Sequence, residues 1–129
     1  RAGTSTQYWS GDDEASLDGA GWYEKNSGKA IRVVGLKAPN AWGLHDTHGN
    51  VWEWCQDWFG PYQIPKTIRQ LRDSADFAPS GPMVGTHRVL RGGSHASVPG
   101  RARSASRNWG LPDHYDSLCG FRLVRRASR

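Results

Sequence analysis

The chain has 129 residues, enough for one domain and too few for two cores, and its 36% hydrophobic content excludes a membrane-spanning run. Seven Trp among 16 Gly and 7 Pro point to a loop-rich fold that draws its buried area from a few large rings. The net charge of +5 is spread over Arg88, Arg91, Arg101, Arg103, Arg107, Arg122 and Arg125, interleaved with Gly, Ser and apolar residues, so these read as partners for carboxylates and carbonyls, and nucleic acid is not expected.

Residues 1–30 are polar and rich in Gly, Asp and Ser, with Tyr8, Trp9, Trp22 and Tyr23 as aromatic islands. They predict a long loop with one helical turn around residues 13–17. In "AIRVVGLKAPN", Ile31, Val33 and Val34 predict a short strand ended by Pro39 and Asn40. "NVWEWCQDWF" has two competing periods: Trp52 and Trp54 alternate as in a strand, whereas Trp54 and Trp58 are spaced as in a helix. Gly60 and Pro61 close that segment, and residues 63–86 form a charged, then Pro/Gly-rich connection. "RVLRGGS" is a strand running into a Gly pair, the mark of a bulge or close backbone approach. Residues 95–118 read mostly as surface loop. "GFRLVR" predicts a last strand, with Phe121 and Leu123 on one face and Arg122 on the other. The class is α+β, with little helix and short antiparallel strands.

The stretch "LHDTHGNVWEW" gathers unusual chemistry in a few residues. On the residues alone, Asp46 caps a turn, Glu53 pairs with an arginine, and Trp52, Trp54 and Trp58 pack as core. His45 and His48 with Cys55 match no structural zinc spacing. Ser94, His95 and Asp113 lack a nucleophile elbow, so no catalytic triad is assigned. Cys55 and Cys119 suit one disulfide or two buried thiols equally, and leave the compartment open.

Three blocks stand in order: "NAWGLHDTHGNVWEWCQDWF", "RVLRGGS" and "GFRLVRR". Together with the opening "RAGT", this set resembles the formylglycine-generating enzyme (sulfatase-modifying factor) family, whose domain is a variant of the C-type lectin fold. The resemblance implies a single domain over residues 1–129, forming the C-terminal portion of a longer domain of that type. It also implies a structural calcium ion, with side-chain oxygens from Asp46 and Glu53 and backbone carbonyls from Gly49 and Val51. That donor set suits calcium, which takes several oxygens with carboxylates offsetting its charge. A second family calcium site would fall near "DGAGWYEKN", where Gly21 stands in place of an Asn ligand, and it is not expected here. Members that make formylglycine oxidise a substrate cysteine using copper held by two thiolates shortly after the "RGGS" block. This chain has no cysteine from Ser94 to Leu118. Copper and the formylglycine reaction are therefore not expected, and no catalytic residue is assigned.

The same segment is similar to the variable proteins of diversity-generating retroelements, which present altered side chains on an unchanging frame. The frame corresponds to Arg103, Ser104, Ala105, Arg107, Pro112, Asp113 and the run from Gly120 to Leu123. Between these lie the candidate ligand-binding positions Ala96, Ser97, Val98, Arg101, Ser106, Asn108, Trp109, Gly110, Leu111, His114, Tyr115, Asp116, Ser117 and Leu118. Trp109, His114 and Tyr115 are the expected anchors, since aromatic groups concentrate binding energy. His95 and Pro99-Gly100 depart from the pattern. The reading is a display domain for an unknown ligand, a protein or other surface molecule. The alternative is an oxidase, or a degenerate relative of one, acting on protein cysteine and completed by residues outside this chain. No Glu-Pro-Asn or Gln-Pro-Asp triplet is present to imply sugar binding.

Overall fold

Helix α1 (Glu14–Ala20) begins where the sequence supplies a cap: the Asp13 carboxylate accepts from the Ser16 N–H at 2.8 Å, and Glu14 occupies the first turn. A computed structural model describes residues 1–62 and 81–125 of the chain. The helix buries Leu17 and Ala20, and Leu17 packs with Tyr8, Tyr23 and Ala102 in a small core. Both tyrosines keep a polar handle. Tyr8 donates to the Pro99 carbonyl at 3.0 Å, and the Tyr23 hydroxyl lies 2.6 Å from Asp18.

Two sheets follow. Strands β1 (Gly21–Trp22) and β2 (His48–Gly49) pair in parallel. Strands β3 (Trp52–Trp58), β4 (Arg88–Arg91), β5 (Arg107–Gly110) and β6 (Cys119–Gly120) form a sheet of order β5-β4-β3-β6. The β3–β4 and β4–β5 pairs are antiparallel, as expected, while β3–β6 and β1–β2 are parallel, so the architecture is a mixed sheet with little helix. The two periods in "WEWCQDW" resolve into one strand whose register shifts between Trp54 and Trp58. Of its three rings only Trp52 is fully buried. Trp54 is half-buried, and half-buried Trp58 is covered by the Arg88 guanidinium, 3.4 Å from the ring centre.

Two sequence expectations are corrected. Ile31, Val33 and Val34 form no strand and are 52%, 70% and 74% exposed. The Asn50 side chain takes the place of a neighbouring strand there: its Oδ1 accepts from the Arg32 N–H and its Nδ2 donates to the Arg32 carbonyl. One amide can pair one residue and cannot propagate a ladder. The "GFRLVR" strand shrinks to Cys119–Gly120, whose partners are Trp52 and Glu53, and Phe121 and Leu123 are exposed. Residues 95–118 are mostly loop, as expected, and include a 3-10 turn at Pro99–Arg101 and the edge strand β5. The Gly110 and Asn108 positions break the alternation that would have revealed that strand. Of the predicted 63–86 connection, residues 63–80 lie outside the described residues. Both cysteine thiols are free. Among the described residues, no helix is long and apolar enough to cross a membrane.

Candidate functional site

The loop before β3 is held by buried polar groups. His48 Nε2 accepts from the Trp9 N–H at 3.0 Å, and Nδ1 donates to the Ala102 carbonyl at 2.8 Å, so both ring nitrogens are used by a neutral imidazole. Burial pushes the His48 pKa below its ordinary value, which favours that form. The ring meets Tyr8 edge-on at 5.5 Å. Next to it, Gly49 has φ +77°, and a Cβ there would fall 1.9 Å from the Trp22 carbonyl oxygen. Asn50 follows, also left-handed at φ 65°. Its N–H donates to Trp22 and its carbonyl accepts from the His95 N–H at 2.7 Å. His95 is thereby a buried tether for the segment after "RGGS". Asn50 and His95 were not singled out for this role in the sequence, and the only local signal was an Asn following Gly, a pair that tolerates positive φ.

Asp46 and Glu53 flank this hub. Asp46 Oδ2 accepts from the Gly35 N–H at 2.7 Å, while its Oδ1 is buried without a hydrogen-bond partner. Glu53 is paired with Arg122, whose Nε donates to Oε2 at 2.7 Å and whose Nη2 donates to Oε1. The same Nη2 lies 3.1 Å from the His45 carbonyl and reaches towards that of Asp46. A cationic group therefore already sits among two carbonyls and a carboxylate. The oxygen-rich surroundings and the orphaned Asp46 Oδ1 fit a hard cation such as calcium, with Arg122 competing for Glu53. Gly49 is buried in β2, and Val51 is half-buried against the position a Gly120 Cβ would take.

The segment after "RGGS" is fastened from beneath. Arg91 donates to the carbonyls of Ser104 and Ser106, at 2.5 and 2.8 Å, and Ser94 N–H donates to Ser97 Oγ. Ser97 and Ser106 are buried, and so is Gly110, where a Cβ would meet the Trp54 ring at 2.6 Å. These three predicted positions belong to the support, because small residues there let the segment lie close to the sheet. Ala96, Val98, Arg101, Leu111, His114, Tyr115, Asp116 and Ser117 are exposed, and Asn108 and Leu118 are partly covered. Trp109 is 51% exposed on the edge strand, edge-on to His87 at 4.3 Å. Arg107 stacks on Phe59 and Tyr62 and donates to the Gly60 carbonyl. Residues 111–118 then carry the chain from β5, at one edge of the sheet, to β6 at the other.

The family description "Sulfatase-modifying factor enzyme 1-like domain" matches residues 1–127. The chain belongs to this family. It is 44% identical over 92 residues to the formylglycine-generating enzyme of Streptomyces coelicolor, covering 69% of this chain and 27% of that one. It is also 42% identical over 87 residues to serine/threonine-protein kinase pkn1 of Chlamydia pneumoniae, covering 67% and 13%. Among solved structures it is similar to Treponema denticola variable protein 1, with a TM-score of 0.78, 36% identity, and coverage of 93% of this chain and 41% of that one. PvdO from Pseudomonas aeruginosa superposes with a TM-score of 0.63 at 26% identity, covering 85% and 40%. The mixed sheet with little helix is thus the formylglycine-generating-enzyme form of the C-type lectin fold. The chain spans well under half the length of these relatives.

Cys55 lies on β3 and Cys119 on β6, opposite Trp52. Burial pushes the Cys55 thiol above its ordinary pKa, and it pushes Cys119 up to about 12 with help from the Asp116 carboxylate. Both rest as protonated thiols, the unreactive form.

Proposed function

We propose that this sulfatase-modifying factor domain is a ligand-binding display domain whose binding face is formed by the exposed side chains of residues 95–118. One observation carries the reading: exposed, chemically mixed side chains stand on a segment pinned by Arg91, Ser94 and the β4–β5 pairing. A rigid support lowers the ordering cost of binding. Trp109 and Tyr115, 51% and 91% exposed, are its aromatic anchors. A depression lined by Val98, Arg101, Arg103 and Arg107 favours an acidic surface on a protein or other surface molecule. The likeness to a variable protein over most of the chain supports the same reading. Resequencing the 3′ end of the gene in many isolates of one population tests it. Substitutions are expected at exposed positions such as Val98, Leu111 and Tyr115, with Arg91, Ser94 and Gly110 unchanged. Changes scattered equally over both sets would sink the reading.

The loop from Asp46 to Glu53 serves that face as a staple in the proposed function. Calcium held by Asp46, Glu53 and the Gly49 and Val51 carbonyls would neutralise the paired carboxylates and tie the loop to β3. Support comes from the buried, unpartnered Asp46 Oδ1. The likeness to formylglycine-generating enzymes favours a second reading, oxidation of protein cysteine completed by residues outside this chain. Incubation with Cu(I), oxygen and a cysteine-containing peptide decides it, and an aldehyde product would establish the oxidase. We further propose that residues 1–129 form the C-terminal portion of a longer domain of the family.

A further inference from the structure

The turn leading into β6 brings three different ligand types together. His114, Asp116 and Cys119 each offer a nitrogen, oxygen or sulfur atom, and these atoms all lie within 4.8 Å of one another. Among the described residues, this is the one such group of three. The turn is held at both ends. Cys119 is fixed opposite Trp52, whose N–H donates to the Leu118 carbonyl at 2.6 Å, and the His114 N–H donates to the Leu111 carbonyl at 2.9 Å. Asp116 Oδ1 accepts from the Leu118 N–H at 2.8 Å, which turns Oδ2 towards His114 Nε2 at 3.1 Å. With the proton of the thiol removed, the three groups offer one nitrogen, one oxygen and one sulfur donor on the same turn.

The geometry points to a binding site for one late first-row divalent ion, zinc foremost, held by His114 Nε2, an Asp116 carboxylate oxygen and Cys119 Sγ. Zinc bonds of about 2.0–2.3 Å place neighbouring tetrahedral ligands roughly 3.3–3.8 Å apart. Rotation of the exposed His114 and Asp116 side chains closes the remaining gap. A thiolate beside an imidazole selects zinc, cobalt or nickel over calcium and magnesium, which prefer all-oxygen shells. On binding, the thiol proton leaves to solvent, and the thiolate and carboxylate together balance the ion's two positive charges. Three protein ligands leave the fourth tetrahedral position open to water or to a donor atom of a bound molecule. It opens on the exposed turn beside Tyr115, so a carboxylate or imidazole of a partner would complete the shell. The site does not rest on the display reading, and a uniform gene sequence among isolates would leave it intact.

Titration of the chain with cobalt(II), then zinc, under reducing conditions tests this. The expected result is one ion per chain, thiolate-to-cobalt charge-transfer absorption with four-coordinate visible bands, and displacement of cobalt by zinc. Cys119→Ser should abolish the charge-transfer band, and His114→Ala should weaken zinc binding at least about ten-fold, the smallest loss usual even for outer groups of a metal site. Cys55→Ser should change neither. His114 and Asp116 are exposed, so their alanine variants report on binding with folding checked by the unfolding midpoint. Absence of the band at excess cobalt, its survival in Cys119→Ser, or zinc affinity unchanged in both His114→Ala and Asp116→Ala overturns the site.

Discussion

Asn50 combines a left-handed backbone, φ 65°, with hydrogen bonds from every polar group to Trp22, Arg32 and His95. Replacing it strains the backbone and strands buried partners at once. Asn50→Ala is expected to cost about 2–4 kcal/mol, as buried donors and acceptors lose their partners. Asn50→Gly keeps the conformation but not the bonds, so it should be less destabilised than Asn50→Ala by about 1 kcal/mol; urea unfolding of the two variants measures both. Arg122 offers a second test at this scale. If calcium and its guanidinium share Glu53, calcium in hundred-fold excess over its dissociation constant stabilises the chain by about 2.7 kcal/mol. Asp46→Asn and Glu53→Gln lose that gain, and Arg122→Leu binds calcium more tightly. A thermal midpoint indifferent to calcium in the parent chain would remove the ion from the account. Sequence reading named Asp46, Glu53 and an arginine partner. Which arginine it was depended on a contact across 69 positions, beyond any local pattern.

Strand β5 and the turns around it show how elements are held. Arg91 reaches from β4 to the carbonyls of Ser104 and Ser106, and Trp54 fills the space beside Gly110. Arg91→Ala is expected to destabilise by about 1–3 kcal/mol, the cost of part-buried carbonyls left unpaired. Gly110→Val drives a branched side chain into the Trp54 indole and is expected to cost at least 1–3 kcal/mol, in the range of overpacking. Tyr115→Ala and Leu111→Ala, on the exposed turn, should shift stability by less than about 0.5 kcal/mol. Comparable losses in both groups would mean that no support and face can be told apart. At this scale "RVLR" was legible as a strand, whereas the two periods of "WEWCQDW" were resolved only by its pairing with β4 and β6. The strands expected at Val33 and Phe121 were not formed, because apolar residues make a strand only where a partner edge is available.

Across the whole molecule, apolar side chains remain uncovered on both sides of Asp46. Val33, Val34 and Leu36 are 70%, 74% and 66% exposed, and Phe121 and Leu123 are 73% and 89% exposed. Gly35 and Arg122 each hydrogen-bond to Asp46. Large exposed apolar area is uncommon on a monomer. The 129-residue chain alone is therefore expected to bind a hydrophobic dye, and, if it is part of the longer domain proposed above, a chain carrying that whole domain should not. Equal dye binding by both would argue against the larger domain as the cover.

Read by itself, the sequence determined the family, the α+β class, the missing thiols between Ser94 and Leu118, and the dispersal of the arginines. These are properties of residue identity and order. Tertiary structure alone decided that Ser97, Ser106 and Gly110 are buried, that Arg122 meets Glu53, that Asn50 replaces a strand beside Arg32, and that His114, Asp116 and Cys119 converge. The physical reason is common to all four. Each depends on a side chain meeting a backbone or side-chain partner whose position the sheet sets, and periodicity reports only which residues share a face.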